Sequence, residues 1–149
     1  YAGFLAVDRD RFFAEWAPPE NPYFRVSATR ALHEALELLE RGDLAGAEER
    51  LRELVELHPD APGVPEALYT LGRLAAVDGR TEEARHQLRR LVLEYPVPSY
   101  YDRALLQLAR LAAELDRTAE AEGYLDSITW SDPSVTSDAV RIIRDLIAR

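Results

Sequence analysis

Three histidines, a close pair of aspartates and 27 acidic residues in all are the side chains of this 149-residue chain that could ligate a metal or move a proton. His33, His58 and His86 fall on different predicted helices with no second histidine four residues away, and there is no cysteine. A metal site needs a clustered ligand set, and this spacing provides none. Asp8 and Asp10 have the start of a calcium loop but not the glycine and glutamate that complete one, so helix capping is their simpler role. A glycosidase needs two carboxylates facing each other across a cleft, and nothing selects such a pair here. No nucleophile elbow, phosphate loop or dinucleotide fingerprint occurs. These residues predict no catalytic centre, no metal and no cofactor. The distinctive chemistry left is that of Arg73, Arg103 and Arg110, whose guanidinium forks suit carboxylates if one face gathers them.

The elements that would gather them are legible as a repeat. Pro59, Pro96 and Pro133 stand 37 residues apart, and a pattern of small and apolar residues moves with them. Ala35, Gly72 and Ala109 share the step, as do Ala47, Ala84 and Ala121. So do Leu51, Leu88 and Leu125, and Leu54, Leu91 and Ile128. A fixed period carried by core-type residues marks stacked units that bury their apolar faces on one another. Helical spacing predicts helices over 26–41 and 43–57, then 65–77 and 82–94, then 101–115 and 118–128, and a last one over 135–148. Gly42-Asp43 should stop one helix and cap the next, and small residues at 35, 72 and 109 should lie where paired helices approach.

Residues 1–25 read as a separate aromatic arm. Asp8 can cap a short helix running to about Trp16, beyond which Pro18, Pro19 and Pro22 should break any helix. Residues 26–132 hold three units, at about 28–64, 65–101 and 102–132, and 133–149 form a terminal helix that shields the last unit. A net charge of −9 disfavours nucleic acid or an anionic membrane surface as the main partner. The chain has no Met and starts at Tyr1, which leaves room for a signal peptide, lipid anchor or transmembrane helix before it.

The pattern resembles the tetratricopeptide repeat. Its marks are Leu68, Leu71-Gly72, Ala75, Ala84, Leu88, Leu91 and Pro96, echoed by Leu105, Leu108-Ala109, Ala112, Ala121, Leu125, Ile128 and Pro133. The first unit echoes them with Ala31, Glu34-Ala35, Leu38, Ala47, Leu51, Leu54 and Pro59, where Glu34 replaces the expected leucine. The resemblance implies an all-α, right-handed α-solenoid of three helix pairs plus a capping helix. The linker from Glu94-Tyr95-Pro96 to Ala104-Leu105 is similar to that of a bacterial envelope branch, which includes the BamD lipoproteins and the YbgF/CpoB proteins. That likeness implies a periplasmic setting.

The family resemblance places the first helix of each pair on an inner, partner-binding face. Leu32, Leu36 and Leu39 would lie there, then Glu66, Tyr69, Thr70 and Arg73, then Arg103, Leu106, Gln107 and Arg110. Tyr69, Arg73, Arg103, Gln107 and Arg110 are thus the candidate partner-binding residues, for an acidic peptide segment of a protein partner. The alternative is that the arginines only neutralise Glu66 and Glu114. Phe12, Phe13 and Trp16 of the arm are a second candidate contact, since exposed aromatics call for a cover. The carboxylate clamp of chaperone-binding members uses Lys and Asn, which are missing at those places. The expected role is a non-catalytic scaffold, with a permanently assembled structural subunit of a membrane complex as the alternative.

Overall fold

Apolar residues at helical spacing make seven helices and no strand among the residues described by the computed structural model, 22–149, with side chains from 27 onward. They are α1 Pro22–Glu40, α2 Leu44–Leu57, α3 Val64–Val77, α4 Thr81–Glu94, α5 Pro98–Glu114, α6 Thr118–Asp126 and α7 Ser137–Ala148. The fold class is all-α, of the tetratricopeptide-like α-solenoid type. Phe12, Phe13 and Trp16 lie outside the described residues. No described helix is long and apolar enough to cross a membrane.

Three helix starts shift by two or more residues from the sequence expectation, and proline accounts for the first two. Pro22 opens α1 where a break was expected, and Pro98 opens α5 three residues before Tyr101. Proline lacks an N–H, but the first N–H groups of a helix have no partner anyway, so the first turn accepts it. The last helix begins at Ser137 because Thr136 caps it, its Oγ1 accepting from Ala139 N at 3.2 Å. Val135 just before that cap and Val140 in the first turn both enter one core cluster, which closes the entry as a hydrophobic staple.

Turns recur with the repeat. Gly42 (φ +81°), Gly79 (φ +78°) and Asp116 (φ +57°) each end a first helix in the left-handed region. The next residue donates back five positions, from Asp43 to Leu38, Arg80 to Ala75 and Arg117 to Ala112, at 2.8–2.9 Å. This satisfies carbonyls that a helix end leaves open. Asp43 also caps α2, accepting from Gly46 N at 3.0 Å. Aspartate is among the few residues other than glycine that tolerate this conformation, so Asp116 can stand in for it.

The described residues divide into two compact units, with the boundary between Ala67 and Leu68. In the first, α1 packs on α2 through the fully buried Ala35, Ala47 and Leu51, with Leu54 and Val55 beside them. In the second, α5 packs against α4, α6 and α7. Ala84, Ala109 and Ala121 are wholly buried, as their repeat positions require. At Gly72 an added Cβ would lie 2.6 Å from Leu88 Cγ, so α3 and α4 touch where the small residue stands. The core of this unit continues through Leu105, Leu106, Leu125, Ile128, Val140 and Ile143.

Candidate interaction surface

All five candidate residues on helices belong to the second unit. Arg73 near the middle of α3 and Arg110 on α5, one repeat apart, are exposed. Neither has an ion-pair partner among the described residues. Tyr69 and Gln107 are half-buried. The Tyr69 ring meets that of Tyr100 with centroids 5.6 Å apart and planes tilted by 45°, a favourable aromatic geometry. The guanidinium of Arg103 lies 5.3 Å from the Tyr100 centroid on the α5 side, within cation–π reach.

Two expectations need correction. Leu106 is not on an open face: it is buried with Val140 and Ile143, because α7 packs over this stretch of α5. Arg103 is not a free cation and does not pair with Glu114. Its Nε donates to Asp132 Oδ2 at 2.6 Å and to Ser134 Oγ at 2.9 Å. Of the three arginines, Arg73 and Arg110 have no carboxylate partner among the described residues, and Arg103 has one in the connection between α6 and α7.

That connection is held by a second group that the periodic reading passed over. Asp102 is fully buried on α5. It accepts from Thr129 N at 2.8 Å, Thr129 Oγ1 at 2.9 Å and Ser131 N at 3.1 Å. A buried carboxylate is tolerable only when its lone pairs are filled in this way. A signal was present: counted back by 37, position 102 aligns with Pro65 and Ala28, both core positions. A charged residue in a core register marks a polar anchor.

Asp132 is the neighbouring buried carboxylate. Burial pushes its pKa up, but hydrogen bonds from the Ser134 hydroxyl and amide, with Arg103 beside them, outweigh that and hold it below its ordinary value. On the other side of the unit, Arg85 of α4 pairs with Glu82 at 2.9 Å and with Glu120 of α6, while Tyr124 OH donates to Glu120 at 3.0 Å. The hydrogen bond from Arg85 is the main force lowering the Glu120 pKa, against the opposing effect of burial. Both depressed groups stabilise the fold fully above the ordinary carboxylate range, and that contribution is lost as pH falls through their folded values. Thermal melts from about pH 6 to about pH 3 should show a falling midpoint, and Asp132→Asn should flatten the fall. Equal slopes in parent and variant would remove Asp132 from the account.

Among the described residues, the arrangement shows no convergent acid, base and nucleophile. It presents the exposed Arg73 and Arg110 and the half-buried Tyr69 and Gln107 on α3 and α5. Two family models, each described as the tetratricopeptide repeat, match the chain over residues 38–105 and 103–134. No curated protein matches it.

Proposed function

We propose that this chain, built from tetratricopeptide repeats, is a non-catalytic scaffold that takes an acidic segment of a protein partner on the α3 and α5 side of its second unit. Members of the family are typically non-catalytic and bind protein partners. The observation that carries the choice of segment is the pair Arg73 and Arg110, exposed, equivalent in the repeat and without an ion-pair partner among the described residues. The acidity of the chain does not oppose it. Residues 1–67 hold 14 acidic against 7 basic side chains, whereas 68–149 hold 13 against 11. Tyr69, one turn before Arg73 on α3, supplies rigid contact area. Arg103 is left out of the proposed pair because its Nε is held by Asp132 and its guanidinium lies over Tyr100.

The test uses a partner recovered by native pull-down. Arg73→Glu with Arg110→Glu should weaken its binding by about tenfold or more, given the usual strength of charge-assisted contacts, with an unchanged helical circular-dichroism signal. Affinity for the parent should also fall with salt, since the Debye length is about 10 Å near 0.1 M. Normal binding by the double variant would move the site off this face.

A bacterial envelope setting is part of the proposal and rests on the linker around Tyr95-Pro96 alone. The second reading, a permanently covered structural subunit, draws support from Ile142 and Leu146, which stand exposed at 59% and 44% on α7.

A further inference from the structure

The residue least explained by the repeat is Trp130. It holds φ +63° and leaves 54% of its surface exposed. Left-handed backbone is costly for a bulky side chain. The other left-handed residues among those described, Gly42, Gly79 and Asp116, recur at the repeat step and close helix ends. Trp130 does not: counted back by 37 its places are Leu93 and Glu56, both inside helices. The strain is imposed from α5. Asp102, wholly buried, takes the amides of Thr129 and Ser131 on either side of Trp130, and Arg103 ties down Asp132 and Ser134 just beyond. A large apolar side chain, a little over half exposed, is thus carried on backbone held in a conformation that glycine would adopt more easily. Such an outlier argues for use of the side chain rather than for packing.

We propose that the connection at residues 127–136 is a second protein-binding edge with Trp130 as its anchor, and that its occupant is an extended, uncharged, proline-containing segment of a partner. The chemistry of the adjoining pocket selects that occupant. The pocket measures about 350 Å³, begins at Ser131 next to Trp130, and is lined by Pro98, Tyr100, Pro133 and Ser134. Its charged groups, Arg103 and Asp132, neutralise each other at 2.6 Å, so a charged ligand finds no counter-ion. What remains is proline rings, an aromatic ring and hydroxyls. A polyproline-type segment presents rings and unpaired carbonyls in a preformed helix, and it docks on aromatic-rich surfaces at little cost in order. The Ser131 and Ser134 hydroxyls are spent on Asp102, Thr129 and Asp132, so the donors for those carbonyls are the Trp130 indole N–H and the exposed Ser99 hydroxyl at the pocket. This edge adjoins the Arg73–Arg110 face through the Tyr69–Tyr100 ring contact but calls for a different partner chemistry.

The experiment is a heteronuclear NMR titration of the whole chain with a ten-proline peptide, compared with a ten-glutamate peptide. The proline peptide should give saturable shifts of the Trp130 indole and of the Ser131 and Ser134 amides. Trp130→Gly should weaken that response at least tenfold while melting no lower than the parent, because glycine accepts the left-handed backbone. Arg73→Glu with Arg110→Glu should leave the proline response intact. Absence of saturable shifts, or shifts at these residues with the glutamate peptide instead, would overturn the proposal. So would a Trp130→Gly midpoint several degrees below the parent, which would make the indole a packing residue. Loss of the response in the double-arginine variant would overturn the second edge and return the contact to the α3 and α5 face.

Discussion

Asp102→Ala is expected to destabilise the second unit by about 2–4 kcal/mol, the cost of stripping donors from a buried, charged acceptor. The substitution leaves the amides of Thr129 and Ser131 without their acceptor and opens a space beneath the loop. Part of the loss is offset, because a buried carboxylate no longer has to be kept from water and the freed amides stand close to solvent. Asp102→Asn should fall between the two, since one carbonyl oxygen still accepts while the amide group faces existing donors. Urea unfolding followed by circular dichroism measures both. Tryptophan emission gives an independent signal, because releasing the clamp frees the backbone of Trp130. A midpoint for Asp102→Ala within error of the parent would mean that the loop is held by packing of Ile128 and Val135 alone.

A comparable loss is expected from Gly72→Leu, by the opposite mechanism. An alanine-sized Cβ at this position already falls 2.6 Å from Leu88 Cγ and 2.8 Å from its Cδ2, and Leu88 is buried to 1% exposure. The leucine cannot swing away into solvent, so α3 and α4 must separate. Gly72→Ala should therefore cost about 1–3 kcal/mol, and Gly72→Leu the upper end of that range or more. Alanine fills the equivalent places 35 and 109 without exposure, which makes the Gly72 contact the tighter one. Pairing Gly72→Ala with Leu88→Ala should recover part of the loss, and a thermal-denaturation double-mutant cycle measures the coupling. Additive losses would show that the two residues do not press on each other.

The repeat frame was open to reading because it rests on local, periodic physics. Residues such as Ala47, Ala84 and Ala121, or Leu51, Leu88 and Leu125, face the same neighbours in each unit, so one geometry selects one residue type again and again. Helix ends at Leu57 and Glu94 followed in the same way, since a proline two positions on forbids continuation. The position and left-handed backbone of Gly42, and the cap by Asp43, depend on three or four consecutive residues and were equally legible.

The availability of the arginines was a different kind of question. Arg73, Arg103 and Arg110 look alike in sequence, yet Arg103 alone is matched by a carboxylate 29 residues away in a segment outside the helical pattern. Likewise, Leu106 fits an open face by period and a buried one by contact, because α7 lies over it. The sequence by itself determined the units, their small-residue contacts and the residue types on each first helix. Only the tertiary structure decided which of those residues remain free, because ion pairing and burial depend on segments far along the chain that no periodic rule brings together.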